Sequence, residues 1–157
     1  MTRNILIILG LLVLVTIVIA VVRARGSDEA RPNMDSQSPY VTISQHQYAV
    51  EVALSVDAQA KGLSGRDELK KGSGMLFVYS EPMIQAFWMK GMRFPIDIVW
   101  INNDTVIGIT ENALVDPSII PKIYSSPGKV NFVLELSAGT AGQNGLRAGD
   151  KVVFSGI

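Results

Sequence analysis

Asp97 is the residue of this 157-residue chain whose chemistry most needs an explanation. It stands in Ile96-Asp97-Ile98-Val99-Trp100-Ile101, at the strand parity of Val99 and Ile101, so a strand that packs those two inward also carries a carboxylate out of water. A buried charge without a partner is costly, and Lys90 and Arg66 are the natural donors for it. One reading is structural: an ion pair, or a turn-capping carboxylate that holds the hairpin. The other is a binding-site anion in a cleft beside Trp88. Trp88 shares parity with Ile84, Ala86 and Lys90, which suits core packing, although a half-exposed indole next to a lysine also suits stacking on a sugar or another planar ligand. Glu135 lies on the strand face of Lys129, Asn131 and Val133 and reads as a solvated edge charge. Paired with Asp97, it would supply the two carboxylates that glycoside hydrolysis requires at a set separation.

The other chemistry-bearing residues are sparse. His46 is the lone histidine, at the entrance of the folded region, and reads as a surface residue. Met75, Met83, Met89 and Met92 cluster in one short region; thioethers can hold Cu(I), but their irregular spacing across strands and turns favours core filling. The chain has no cysteine, which excludes disulfides, thiolate metal sites and a cysteine nucleophile. Fourteen basic residues balance fourteen acidic ones with no basic block, so the counterion-release contribution that dominates nucleic-acid affinity is missing. No phosphate-binding glycine loop, metalloprotease motif or EF-hand pattern occurs.

The N-terminus is a separate physical object. After a short head, residues 1–4, the run Ile5–Val22 is apolar on every side apart from Gly10 and Thr16, and as a helix it spans roughly 27 Å, close to the hydrocarbon thickness of a bilayer. A cleaved secretory signal is the competing reading. The run exceeds an ordinary h-region and Val21-Val22-Arg23-Ala24-Arg25 offers no small-x-small site, which favours an uncleaved anchor. The expected topology places the N-terminus inside and the C-terminal domain extracytoplasmic. Residues 23–39 form a flexible polar linker, its Gly26–Pro39 part wandering on the order of 20 Å from the membrane. The globular domain spans 40–157.

There the apolar period is mostly two. Tyr48, Val50, Val52 and Leu54 alternate with polar or small residues, Asp57 caps a short helix over Ala58–Leu63, and Met75–Tyr79, Ile84–Lys90 and Ile96–Asn102 read as successive strands of a meander. Ser80-Glu81-Pro82 and Gly91–Pro95 are the turns between them. Asn102-Asn103-Asp104 is a tight hairpin turn into Val106–Thr110. Leu114–Gly128, with three prolines, is a long loop of the kind that often binds ligands. Val130, Phe132, Leu134 and Leu136 form the apolar face of a later strand, Ala138–Leu146 a short helical turn, and Lys151–Phe154 the last strand. The fold class is therefore mainly β, a jelly-roll-like sandwich or partly open barrel with one or two short helices, preceded by a single N-terminal transmembrane helix.

Seven short stretches carry a resemblance. Lys61-Gly62-Leu63 with Arg66, Gly74-Met75-Leu76-Phe77, Phe87-Trp88-Met89-Lys90, Pro95-Ile96-Asp97-Ile98, Tyr124-Ser125-Ser126-Pro127, Leu134-Glu135-Leu136 with Ala138-Gly139, and Gly149-Asp150-Lys151-Val152 resemble, in order and spacing, the family known as domain of unknown function 192. The resemblance implies a compact, mainly β domain, often exported or membrane-tethered, with no settled activity. The chain departs from the family pattern at Gly91-Met92, where Asn-Thr is common, and at Ser64, where methionine is frequent.

Together these readings point to a membrane-tethered binding module. Its candidate ligand set is Trp88, Lys90, Asp97, Arg66, Glu135 and Tyr124, for a small polar or saccharide-like ligand. No catalytic residue, metal ligand or cofactor is assigned. Two alternatives stand beside it: a hydrolase built on Asp97 and Glu135, and an assembly domain that docks an envelope protein through an edge strand or apolar patch.

Overall fold

Two tight turns and one parallel crossover organise the chain. In the computed structural model, which describes residues 38–157, β1 (Tyr40–Ile43) returns as β2 (His46–Ala53) through Ser44 at φ 56, and β5 (Ile96–Asn102) returns as β6 (Thr105–Ala113) through Asn103 at φ 52. Asparagine tolerates that left-handed conformation better than most residues, which is why the turn is legible in the sequence. Between these hairpins β2 leads through α1 (Val56–Lys61) into β3 (Ser73–Met83), which pairs parallel to β2. The remaining elements are β4 (Ala86–Trp88), β7 (Ile123–Ser125), β8 (Val130–Ser137), α2 (Thr140–Gln143) and β9 (Val152–Ser155).

Seven strands form one sheet in the order β6-β5-β8-β3-β2-β1-β9, and β4 pairs with β7 in a separate two-stranded ribbon. The edge strands nearly meet. Thr105 and Lys151 form an isolated bridge, and the Val106 amide donates to the Asp150 carbonyl at 3.0 Å, so the sheet curls into a half-barrel. The protein is thus mainly β, a curled half-barrel sheet with two short helices.

Curling gives the sheet an inside and an outside, and both are packed. Val41, Ile43, Leu76, Val99, Ile101, Leu134 and Leu136 join Val106 and Val152 from the two edges in an inner core. On the outer face Phe77, Ile98, Trp100 and Val133 pack with Leu63, Met89 and Met92. A ladder of edge-to-face rings stitches β4 to that face, with centroids 4.9 Å apart for Phe77–Phe87 and 5.6 Å for Phe87–Trp100. Trp100 also donates its indole N–H to the Thr110 hydroxyl at 3.0 Å.

Several sequence expectations are corrected. The successive runs are not a meander: β3 lies between β2 and β8, β5 between β8 and β6, and β4 outside the sheet. Ser80-Glu81-Pro82 belongs to β3, where the ladder to β8 is interrupted between Val78 and Met83, a break that tolerates a proline without an amide proton. The cap of α1 is Ser55, whose hydroxyl accepts from the Ala58 amide at 3.2 Å, while Asp57 sits in the first turn. The loop over 114–128 contains β7. The expected anchor Ile5–Val22 and nearly all of the linker lie outside the described residues; among the described residues no helix is long and apolar enough to cross a membrane.

Gly74 marks how tightly the strands fit. A Cβ there would lie 2.8 Å from the Glu135 carbonyl oxygen and 2.9 Å from Leu134 Cδ1. Because backbone of a central strand cannot step aside cheaply, Gly74→Ala is expected to lower stability by about 1–3 kcal/mol, seen as a lower urea midpoint at unchanged m-value.

Candidate functional site

Register places the site. Glu135 of β8 lies opposite Met75 of β3 and Ile98 of β5, and Met75 lies opposite Glu51 of β2. These four side chains form one row across the outer face, with Glu51 and Glu135 two strands, roughly 10 Å, apart. Asp97 lies opposite Leu136, so it points to the inner face, away from Glu135.

Over Glu135 the outer layer leaves a cavity of about 180 Å³, walled by Phe77, Tyr79, Phe87, Trp88 and Gly62. Its frame is held by polar contacts, because α1 buries no residue of its own. Gln59 donates its amide to the carbonyls of Ala53 at 3.2 Å and Val78 at 2.8 Å, pinning α1 to the strands. Gly62 ends the helix at φ 48, and a Cβ there would stand 3.3 Å from the Phe77 ring. Beyond it the Ser64 hydroxyl donates to the Lys90 carbonyl at 3.0 Å and the Gly65 amide to the Gly91 carbonyl at 2.9 Å, joining the two turns that form the rim.

Glu135 is 5% exposed, and its Oε2 is buried without a hydrogen-bond partner. Burial pushes its carboxyl up to about 8, an effect that the Arg66 guanidinium only partly offsets. Burial likewise pushes the Tyr79 hydroxyl up to about 12, with the negative field of Glu135 adding to it. Arg66 itself is engaged elsewhere, in a two-pronged pair with Glu51 at 2.5 and 2.7 Å, and that bond holds the Glu51 carboxyl below its ordinary value. A carboxyl so placed is mostly protonated at neutral pH and can donate one hydrogen bond or, if a cation enters, ionise beneath it.

The predicted residues separate accordingly. Asp97 is fully buried, as its parity implies, but its donors are backbone amides: Oδ1 accepts from Asn112 at 2.9 Å and Oδ2 from Ala141 at 2.8 Å. It is a clamp between β5, the end of β6 and α2, and neither Lys90 nor Arg66 pairs with it. Trp88 is 53% exposed, at the cavity wall rather than in the core, with the Lys90 ammonium 5.9 Å from its ring centre. Tyr124 sits opposite Phe87 on the ribbon, with the Lys122 ammonium 4.7 Å from its ring. Glu135 is the opposite of a solvated edge charge, since β8 is a central strand covered on both faces. With Asp97 on the other face and both its oxygens occupied, the two carboxylates cannot flank one glycosidic bond, and no second carboxylate lines the cavity among the described residues. Met75, Met89 and Met92 are buried core residues, whereas Met83 is 54% exposed.

The residues 40–154 match the domain-of-unknown-function family DUF192, described as an uncharacterized ACR. The chain belongs to the DUF192 family. A protein of unknown function from Novosphingobium aromaticivorans, known from a crystal structure, is similar to this DUF192 domain at 33% identity and a TM-score of 0.68, over 73% of this chain and 83% of that one. A candidate transcription regulator from Sinorhizobium meliloti is similar at 31% identity and a TM-score of 0.69, over 78% of this chain and 98% of that one. No curated protein matches. Ser64 and Gly91 meet at the rim: a Cβ on Gly91 would stand 3.4 Å from Ser64 Cβ. The small residues there let the two turns close on each other. Sequence reasoning missed Phe77, Tyr79 and Phe87 as cavity walls, since apolar strand residues carry no sign of which layer covers them.

Proposed function

We propose that this DUF192 domain is a binding module for a small polar ligand, seated in the cavity above Glu135 rather than around Asp97. The observation that carries the reading is the Glu135 oxygen, nine-tenths buried, without a partner and placed at the wall of an open aromatic cavity. Buried polar atoms in folded proteins are almost always paired, so an unpaired one in a cavity invites a partner from outside. At about 180 Å³ the cavity suits a ligand tip of a few heavy atoms. Trp88 at the edge, with Lys90 beside it, offers a face on which the remainder can lie.

Ala86 lines the same cavity, and tryptophan there would fill it. A thermal-shift screen of the full chain against amines, sugars and amino acids is expected to find compounds that raise the melting temperature. At a hundredfold excess over Kd the gain is about 2.7 kcal/mol, on the order of 10 °C for a domain of this size. Ala86→Trp should abolish that shift. Equal shifts in both proteins, or none with any compound, would contradict the reading.

In this proposal Ile5–Val22 anchors the domain in the membrane with its N-terminus inside, and the polar linker carries the cavity on the extracytoplasmic side. A second reading, docking of an envelope protein, draws on the exposed apolar side chains of the ribbon: Trp88 and its cross-strand partner Ile123 are 53% and 50% exposed, near Ile84 at 57%.

A further inference from the structure

We infer that the ligand entering this cavity is an organic cation, a primary ammonium on a short apolar stem, with the Glu135 carboxylate as its counter-ion and the rings of Phe87 and Trp88 as its walls. The inference rests on the proposal that the cavity is a ligand site, and it names the chemistry that the site selects.

The polar inventory of the cavity decides between ligand classes. Among its lining residues, Gln59, Lys61, Ser64, Tyr79, Trp88 and Glu135 carry polar side-chain atoms. The Gln59 amide is spent on two carbonyls, and the Ser64 hydroxyl on the Lys90 carbonyl. A saccharide presents several hydroxyls and needs several convergent partners; with Gln59 and Ser64 spent, the groups left are the Tyr79 hydroxyl, the Trp88 indole N–H, the exposed Lys61 side chain and Glu135, fewer than its hydroxyls require. An ammonium needs one anion and aromatic faces, and Glu135 with Phe77, Phe87 and Trp88 provides both. The small volume admits such a head and stem but crowds a fully hydroxylated ring. Cations already nearby do not fill the role: Arg66 is forked onto Glu51, and Lys61 is an exposed residue at the end of α1.

Proton balance makes the inference testable. At neutral pH the Glu135 carboxyl holds its proton, as its raised value of about 8 implies. Seating R–NH₃⁺ beside it leaves Glu135 as carboxylate and sends that proton to solvent. Of the groups around Glu135, Arg66 stays charged and Tyr79 stays neutral across the range used, and Lys61 is exposed at the end of α1, so the change is assigned to Glu135. Affinity for an ammonium should therefore rise roughly tenfold from about pH 7 to about pH 9, the change in the ionised fraction of a group titrating near 8. A neutral ligand that accepts a hydrogen bond from the protonated carboxyl must show the reverse trend.

Calorimetric titration of the full-length protein with n-butylammonium chloride, n-butanol and methyl glucoside reads both quantities, using two buffers of different ionisation heat. The expected result is selective binding of butylammonium, release of close to one proton at about pH 7, and the tenfold rise with pH. Glu135→Gln should weaken butylammonium at least tenfold and abolish the pH dependence, and Trp88→Ala should weaken it severalfold while proton release persists. Should Glu135→Gln fail to fold, proton release by the wild-type chain and the Trp88→Ala variant still decide. Equal binding of butylammonium by wild type and Glu135→Gln overturns the inference. So does binding of methyl glucoside or butanol in preference to the amine, although a shift that Ala86→Trp abolishes would then leave the cavity standing as a binding site. No binding by any of the three probes, with no Ala86→Trp-sensitive ligand in the thermal screen, overturns both.

Discussion

Replacing Asp97 with alanine is expected to destabilise the domain by about 3–5 kcal/mol, enough to unfold much of a marginally stable population. The carboxylate is fully buried, and its two oxygens take the amides of Asn112 and Ala141 at 2.9 and 2.8 Å. Asn112 stands at φ 50, where the end of β6 breaks from regular pairing, and Ala141 lies in the first turn of α2, where helix amides lack intrahelical partners. Hydrogen bonds to a charged acceptor contribute more than neutral ones, and removing the acceptor leaves the buried Ala141 amide and the part-buried Asn112 amide without it. Asp97→Asn should cost less, about 2–4 kcal/mol, because one carbonyl oxygen remains while the new amide faces a donor. Urea unfolding followed by circular dichroism measures both, and wild-type midpoints in the two variants would show that the clamp does not hold the fold.

The second large effect is a loss of stability with rising pH, opposite in sign to that of an ordinary ion-paired carboxylate. In the unfolded chain Glu135 titrates near 4.5, and in the folded protein near 8, so between those values the folded state holds a proton that the unfolded state has released. Its contribution to stability is full below about 4.5 and is lost as pH rises through about 8. From about pH 5 to about pH 9 the loss is on the order of 4 kcal/mol, and Glu135→Gln should erase it. The groups with lowered values, Glu51 through its bond to Arg66, Asp104 through its bond to Lys151 and Asp116 through its bond to Ser118, act the other way, their help fading only as pH falls into the carboxylate range. Above about pH 5 they are ionised in both states, which leaves the slope to Glu135. A stability profile equally flat in wild type and Glu135→Gln would contradict the buried acid.

What the residues disclosed, and what they withheld, follows from the range of the interactions. Local rules carried far: Ile96–Asn102 is a strand at its expected bounds, the Asn103 turn is present, and Asp97 is indoors, because parity, turn chemistry and desolvation act within a few residues. The donors to Asp97 were beyond that reach. They are amides fifteen and forty-four residues away, and a backbone amide leaves no mark in a sequence as lysine or arginine does. Glu135 shows the same limit from the other side. Lys129 and Asn131 made its strand face look wet, yet Val133 on that face is fully buried, and it was the local sign that the face turns dry toward Glu135. The layer that dries it comes from α1, the turn after it and β4, placed there by a parallel crossover and a ribbon that period-two alternation does not encode. Trp88, whose parity suited core packing as well as a half-exposed stacking face, stands half-exposed because its ribbon lies outside the main sheet.

One carboxyl, that of Glu135, is dry, unpaired and placed at the cavity wall. A carbon-13 titration of the glutamate side chains in the full-length protein, with Glu135→Gln to assign the resonance, measures it directly. The account predicts a midpoint near pH 8 for Glu135, moving down when butylammonium saturates the cavity. A midpoint near 4.5, unmoved by the amine, would contradict it.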